Sequence, residues 1–103
     1  RPGIKTEMNI GLTYDTPADR VKHATGLLHE IFNAHPKTAD LIISFNRFDS
    51  SSLNIQVIHW WNGTDLRAYN ADLQALNLQI KERFDAEGFS FAFPTQTVYV
   101  KQN

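Results

Sequence analysis

Three stretches of the sequence alternate between apolar and polar residues, the pattern that is typical of half-buried β-strands. The first stretch extends from Met8 to about Tyr14, and the second extends from Asp40 to Phe48. A turn-rich segment, NRFDSSSLN, separates the second stretch from the third, which begins at Leu53. The second and third stretches therefore form a predicted β-hairpin.

The segment DTPADRVKHATGLLHEIFNAH carries apolar residues at every third or fourth position, which predicts an amphipathic helix. Thr16 is the predicted N-cap and Pro17 the first helical residue, where the missing N–H of proline removes no helical hydrogen bond. Asp19 favours the positive end of the helix dipole, and His35-Pro36 ends the helix. The apolar stripe of this helix consists of Val21, Ala24, Leu28 and Ile31.

The strongest helical periodicity in the chain begins after NGTD, in which Thr64 or Asp65 is the predicted cap. Gly88 is the predicted C-terminal end of this second helix, because glycine readily adopts the left-handed conformation that closes a helix. Large apolar or aromatic residues three or four positions apart form its core-facing stripe: Leu66, Tyr69, Leu73, Leu76, Ile80 and Phe84.

An apolar tail, FSFAFPTQTVYV, follows the second helix and supplies a further strand that ends at Pro94. The order strand, helix, strand, strand, helix, strand is the β-α-β-β-α-β arrangement of ferredoxin-like domains. Right-handed crossovers place both helices on one face of a four-stranded antiparallel sheet, so the predicted fold class is an α+β sandwich. Residues 1–94 form this predicted domain, and residues 95–103 form an extra C-terminal strand.

With 103 residues, of which 42% are hydrophobic and 20% charged, the chain has the composition of one globular domain. Its formal charge of -1 includes no basic stripe, which argues against nucleic acid as a partner. The apolar runs, such as residues 41–43, are far shorter than the about 20 residues that span a bilayer, so we expect no membrane insertion by this segment. Because the chain begins at Arg1 without a signal peptide, we expect it to be a piece of a longer protein.

Side chains with catalytic or metal-binding chemistry are present but form no recognisable motif. The chain has no cysteine that could act as a nucleophile or a metal ligand. His23, His29 and His35 are six residues apart, which places them on different sides of a helix. His59 is interpreted as a surface histidine of the third strand. The serines at 50–52 lack the glycine-framed turn of a nucleophile elbow, so we predict no enzyme activity, no catalytic residues, no cofactor and no metal.

Two other functions remain open for a ferredoxin-like domain. An RNA-recognition domain places stacking aromatic rings on its central strands, whereas Tyr14, Trp60 and Trp61 lie near the ends of the predicted strands. The strand LNIQVIHWW also lacks the basic and glycine-aromatic pattern of such domains. A small-ligand regulatory domain would use the open face of the sheet, although the sequence contains no polar cluster that identifies a ligand.

Three segments together resemble the cytoplasmic C-terminal domain of the small-conductance mechanosensitive channel family: IGLTYDTPADRV, FDSSSLNIQVIHWW and LNLQIKERFDAEGFSFAFPTQTVYV. The resemblance extends roughly from Met8 to Val100. Its most specific part is the helix end FDAEG, followed by an aromatic strand and the step Phe93-Pro94. The connection at residues 35–40 is short for the family, a departure that concerns local loop contacts.

This resemblance implies a subunit of a homo-heptameric channel that opens under membrane tension and releases solutes during hypo-osmotic shock. The transmembrane helices would lie upstream in the same parent protein, in the cell (inner) membrane. The present domain would form part of a hollow cage on the cytoplasmic side. It would support and assemble the cage rather than sense tension.

In such channels, the segment after the Phe-Pro step leaves its own domain and joins equivalent strands of other subunits. Pro94 lacks an amide donor and therefore suits the break between two strands. The backbone groups of a strand from Gln96 to Lys101 need partners, which neighbouring subunits supply in a ring. The alternative is that this tail folds back on its own sheet edge. The candidate subunit-interface residues are Phe93, Pro94, Val98, Tyr99 and Val100.

Overall fold

The computed structural model describes residues 3–92 of the chain. Five elements follow each other in this range in the predicted order. They are β1 (Ile4–Leu12), α1 (Ala18–Asn33), β2 (Thr38–Phe48), β3 (Leu53–Trp61) and α2 (Leu66–Ala86). The fold is α+β, with two helices and a three-stranded antiparallel sheet. Neither helix of the described range combines the length and the apolar character needed to cross a membrane.

β3 lies in the middle of the sheet, between β1 on one side and β2 on the other. Val57 of β3 is opposite both Met8 of β1 and Ile43 of β2, so these three side chains share one face of the sheet. β2 and β3 form the predicted hairpin, and residues 49–52 connect them. The predicted hairpin is therefore confirmed.

The hydrophobic core fills the space between one face of the sheet and the two helices. All four residues of the predicted α1 stripe are buried in it. Burial of these apolar faces holds both helices against the sheet. The core consists of Ile10, Leu12, Val21, Ala24, Leu27, Leu28, Ile31, Phe32, Leu53, Ile55, Val57, Leu76, Ile80, Phe84 and Phe89.

β1 starts at Ile4, earlier than the predicted Met8. Its additional residues pair with the end of β3, where Thr6 is directly opposite His59. Thr6 shares the core-facing side of the strand with Met8, because side chains alternate along a strand. A polar residue at a core-facing position interrupts the apolar alternation from which the strand was predicted, so the prediction started four residues too late.

The N-cap of α1 is Pro17 and not the predicted Thr16. The Pro17 carbonyl accepts hydrogen bonds from the amides of Arg20 and Val21, both at 3.0 Å. The Thr16 hydroxyl lies instead 3.4 Å from the hydroxyl of Thr13. Pro17 has an extended backbone conformation, with φ -65° and ψ 157°, which its ring allows and which an N-cap residue requires.

The N-terminal end of α2 confirms Asp65, one of the two predicted caps. Its Oδ1 accepts hydrogen bonds from the amides of Arg67 and Ala68 at 3.0 and 3.2 Å. This geometry satisfies two of the amides that a helix leaves without an internal partner.

The apolar stripe of α2 differs from the prediction at its first turn. Leu66 is 62% exposed and Leu73 is half-buried. Trp61 of β3 is buried at this end of the core and packs edge to face against Tyr69. The indole therefore closes the core where the prediction placed Leu66. The other members of the predicted stripe are buried: Tyr69, Leu76, Ile80 and Phe84.

After α2, the chain runs beside the outer edge of β1, where the fourth strand is predicted. Leu12 and Phe91 form an isolated antiparallel bridge, and the Ala92 amide donates a hydrogen bond to the Gly11 carbonyl at 2.9 Å. The rest of the predicted fourth strand and the predicted extra strand fall in residues 93–103, outside the described range.

Candidate assembly surface

One end of the molecule, named the hairpin end below, brings together the β2–β3 turn, the β1–α1 connection and the chain after α2: residues 49–52, 13–17 and 89–92. β1 ends at Leu12, so Tyr14 lies in the connection and not in the strand as predicted. The Tyr14 hydroxyl donates a hydrogen bond to the Asp49 carbonyl. The Asp49 amide donates to the Ser52 carbonyl at 2.7 Å and closes the turn.

The C-terminal end of α2 sets the direction in which the chain leaves the helix. Gly88 has a φ of +80°, and its amide donates to the Asp85 carbonyl at 3.1 Å. The Phe89 amide donates to the Phe84 carbonyl at 3.0 Å. Together these bonds form a Schellman motif, in which the rings of Phe84 and Phe89 pack with centroids 5.0 Å apart. The prediction that Gly88 ends this helix is confirmed.

Arg20 of α1 connects this turn to the other helix. Its guanidinium lies 4.2 Å from the ring centroid of Phe89 and donates a hydrogen bond to the Glu87 carbonyl. His23 lies 2.5 Å from the Glu87 carboxylate. This hydrogen bond from His23 lowers the pKa of Glu87 below its ordinary value, and the nearby charges of Arg83 and Arg20 act in the same direction. The chain therefore leaves α2 from a point that both helices hold.

Gly11 allows the returning chain to approach β1 closely. A Cβ atom at this position would lie 2.9 Å from Cβ of Ser52 and 3.9 Å from Cβ of Ala92. A larger residue would therefore push the turn away from the strand. Phe91 stacks on Phe84 with ring centroids 5.6 Å apart, which fixes the chain immediately before Ala92. The last described residue is thus placed firmly at the hairpin end.

Three aromatic side chains near the hairpin end are exposed to solvent. Phe48 is 73% exposed, Tyr14 51% and Phe45 40%. The rings of Phe45 and Phe48 pack edge to face with centroids 5.2 Å apart. These three residues are the aromatic patch. Grouped, exposed aromatic rings are typical of surfaces that contact another protein.

An apolar groove of about 350 Å³ lies beside the aromatic patch, between α1 and β2. Val21 and Thr25 line its α1 side, and Ile43 and Phe45 line its β2 side. β2 is at the edge of the three-stranded sheet and, within residues 3–92, pairs only with β3. An edge strand presents backbone groups to which another chain can add.

The sheet face opposite the core lacks the arrangement of rings on which RNA bases stack. β1 contains no aromatic residue, and Trp60 is the one aromatic residue of β3 on this face. Lys5 lies over the Trp60 ring at 5.7 Å from its centroid. Trp61 is buried on the other face. The RNA-binding alternative is therefore not favoured.

Amide side chains occupy the hairpin end of this open face. Asn54 is buried, and its Nδ2 donates hydrogen bonds to Oδ1 of Asn9 at 3.0 Å and to Oδ1 of Asn46 at 2.7 Å. These bonds connect all three strands through side chains. The amides satisfy one another, which accounts for a buried polar residue without a ligand.

His59 is buried, so its prediction as a surface histidine is wrong. It is only 2% exposed and packs edge to face against Phe32 of α1, with ring centroids 4.9 Å apart. β3 is the central strand, and His59 continues its core-facing alternation after Val57. The alternation itself was the signal that could have revealed this burial, because a residue two positions after a core residue shares its face.

The other three histidines have different surroundings. His23 pairs with Glu87, His29 is exposed, and Nε2 of His35 lies 3.6 Å from Oδ2 of Asp72. Across residues 3–92, no three His, Cys, Asp or Glu side chains are grouped to hold a metal ion.

The predicted interface residues lie outside the part of the chain that the structure describes: Phe93, Pro94, Val98, Tyr99 and Val100. The structure places the residue that precedes them, Ala92, at the hairpin end. Their role therefore stays a prediction, but the position of the residue that precedes them in the chain is defined.

The family model described as "Mechanosensitive ion channel MscS, C-terminal" matches residues 6–91 of the chain. Two channels of Methanocaldococcus jannaschii are similar in sequence. The chain is 36% identical over 104 residues to the large-conductance mechanosensitive channel MscMJLR, covering 96% of this chain and 29% of that protein. It is 37% identical over 97 residues to the small-conductance mechanosensitive channel MscMJ, covering 93% of this chain and 28% of that protein.

The chain thus spans less than a third of the length of either relative. Both relatives are mechanosensitive channels, by their names. The crystal structure of Helicobacter pylori MscS in a closed state has the same fold, with a TM-score of 0.69 and 21% sequence identity over 98% of this chain and 39% of that chain. From the family match and these relatives, the chain belongs to the MscS family of mechanosensitive ion channels, as its C-terminal domain.

Proposed function

We propose that this domain forms part of the wall of a hollow vestibule on the cytoplasmic side of a homo-oligomeric channel. The family match over residues 6–91 carries this proposal. The parent protein supplies the transmembrane helices and the pore, opens under membrane tension and releases solutes during hypo-osmotic shock. The channel is a heptamer, and each subunit contributes one copy of the domain to the ring.

Within this assembly, residues 1–94 form the ferredoxin-like domain with a fourth strand beside β1, and residues 95–103 form an assembly strand. The bridge between Leu12 and Phe91 supports the position of the fourth strand. The anchored position of Ala92 at the hairpin end supports an assembly strand that starts there. Neighbouring subunits contact each other through Phe93, Pro94, Val98, Tyr99 and Val100.

The oligomeric state of the parent channel tests this proposal directly. Deletion of residues 95–101 removes the assembly strand, so we expect a loss of oligomer mass in detergent, measured by light scattering. Retention of the full oligomer after this deletion would contradict the role of the strand. The isolated chain, with and without residues 95–103, shows whether the strand also drives assembly without the membrane domain.

A pair of charge variants makes the test specific. Val98→Asp combined with Val100→Asp places two carboxylates in the proposed strand contact, where their desolvation opposes assembly. Gln74→Asp combined with Asn77→Asp adds the same charge at two exposed positions of α2, outside residues 95–103. We expect the first pair to reduce oligomer mass and the second to leave it unchanged. If both pairs reduced the oligomer mass equally, net charge and not the strand would explain the change.

A further inference from the structure

Two polar side chains that each carry a buried atom lie opposite each other on neighbouring strands and play no part in the proposed assembly. Thr6 of β1 is directly opposite His59 of β3 on the core-facing side. Oγ1 of Thr6 and Nδ1 of His59 are both buried and have no hydrogen-bond partner among residues 3–92. Such atoms are uncommon in a folded core, because each loses its bonds to water on burial.

The other ring nitrogen of His59 takes part in a chain of hydrogen bonds that ends on α1. Oγ1 of Thr38 lies 2.7 Å from the Phe32 carbonyl and 2.8 Å from Nε2 of His59. A carbonyl only accepts, so the single Thr38 hydroxyl proton is donated to Phe32. Nε2 of His59 must then donate to Thr38. This assigns the proton of a neutral His59 to Nε2 and leaves a lone pair on Nδ1.

The hydrogen bonds join the end of α1 to two strands. Phe32 belongs to the last turn of α1, Thr38 is the first residue of β2, and His59 lies in β3. The bond between Thr38 and Phe32 joins the two sides of the connection between α1 and β2, residues 34–37. The state of His59 therefore affects how firmly the end of α1 is attached to the sheet.

The charged and titratable groups near His59 belong to the α1–β2 connection, α2 and β1. From the α1–β2 connection, His35 faces it and is the charge that acts on it when protonated. On α2, Asp72 faces His35 at 3.6 Å and accepts a hydrogen bond from Trp61, and Tyr69 packs on the same indole. From the same α1–β2 connection, the ammonium of Lys37 lies over the Trp61 ring. On β1, Lys5 and Glu7 flank Thr6 and therefore lie on the opposite face of the sheet.

Burial lowers the pKa of His59 below its ordinary value of 6.5, and the positive charge of a protonated His35 lowers it further. A protonated ring would also carry a second N–H, at Nδ1, and the side chain placed opposite it on β1 is Thr6. Protonation therefore creates a buried charge beside Phe32, at a nitrogen that has no hydrogen-bond partner among residues 3–92.

We propose that His59 is a proton-sensitive attachment point, which holds α1 to the sheet in its neutral form and releases the α1–β2 connection when a proton binds at Nδ1. The charged ring moves towards water, and its bond to Thr38 breaks. The proposal concerns the fold of this domain and is independent of the assembly strand.

NMR of the unsubstituted chain tests the proton assignment. Long-range ¹H–¹⁵N correlations distinguish the two neutral tautomers and the charged ring. At about pH 7.5 we expect neutral His59 with its proton on Nε2, and a protonation midpoint below the ordinary 6.5. As His59 protonates, amides of residues 34–38 should lose protection from hydrogen exchange. A proton on Nδ1 at about pH 7.5, or a midpoint at or above 6.5, would overturn the proposal.

A substitution isolates the contribution of this histidine to acid sensitivity. The amide of His59→Gln can still donate to Thr38 but does not titrate, and His29→Gln is the matched control on an exposed position. Between about pH 7.5 and 5, we expect the Tm of the unsubstituted chain and of His29→Gln to fall by at least about 4 °C more than that of His59→Gln. Parallel losses in all three proteins would exclude the proposal. The NMR titration decides the matter on its own if His59→Gln does not fold.

The sign of this effect follows from proton binding. The folded chain binds the His59 proton more weakly than the unfolded chain, because its pKa is lowered. Stability is therefore full above the ordinary pKa of 6.5 and is lost as the pH falls towards the folded value.

Discussion

Trp61 makes three interactions at the end of the core where α2 begins. Its Nε1 donates a hydrogen bond to Oδ2 of Asp72 at 2.8 Å, and its ring packs edge to face against Tyr69 with centroids 5.8 Å apart. The Lys37 ammonium lies 5.4 Å from the ring centroid. A tryptophan near the end of a strand therefore serves the core, whereas its neighbour Trp60 is on the open face.

We expect Trp61→Phe to lower the free energy of unfolding by roughly 1.5–3 kcal/mol, because it removes a hydrogen bond to a carboxylate and part of a buried ring. Urea denaturation measures this loss. Trp60→Phe is the matched control, with an expected loss below about 1 kcal/mol because Trp60 is half-buried and donates no described hydrogen bond. Similar losses for both substitutions would contradict the assignment of Trp61 to the core.

The ends of α2 depend on local chemistry and were predictable for that reason. Asp65 caps the first turn and Gly88 closes the last one, each through bonds to residues a few positions away. α1 lacks such a side-chain cap and begins one residue later than predicted, at Ala18 and not at Pro17. The backbone of Pro17 and the packing of the helix on the sheet set its start. A search of the sequence for capping side chains does not detect either of them.

Gly88→Ala tests the helix end. The residue has a φ of +80°, and a Cβ atom there meets nothing within 4 Å, so the expected loss of about 1–2 kcal/mol comes from the left-handed backbone alone. Thermal unfolding followed by circular dichroism measures it. Gly26→Ala, in the interior of α1 with equally open space, is expected to stabilise the chain by roughly 0.5–1 kcal/mol. Equal signs for the two substitutions would refute this account.

On the scale of the whole molecule, the exposed aromatic side chains of the described residues lie near the hairpin end, where the chain continues from Ala92. The aromatic patch and the neighbouring edge strand β2 are both suited to contact with another copy of the domain. This arrangement fits the proposal that the domain works inside a ring of identical subunits.

If the aromatic patch contacts another copy, Phe48→Asp should reduce the average mass of the concentrated chain in light scattering, because it places a charge in an apolar contact. Since Phe48 is 73% exposed, we expect its free energy of unfolding to change by less than about 1 kcal/mol. Leu66→Asp is the control, at a leucine that is 62% exposed and lies at the opposite end of the molecule. Identical mass changes for both variants would show that this patch has no special role.

The sequence by itself determined the order of the elements, the hairpin, the core stripe of α1, the start of α2 after Thr64 or Asp65, its end at Gly88, and the family resemblance. Each of these depends on residues close together in the chain, through strand or helix periodicity and short-range hydrogen bonds. The tertiary structure alone decided where β1 begins, that Thr6 lies opposite His59, and that Trp61 closes the core in place of Leu66. These features depend on which residues of distant segments meet, and the pairing of β1 with β3 and the packing of α2 determine that.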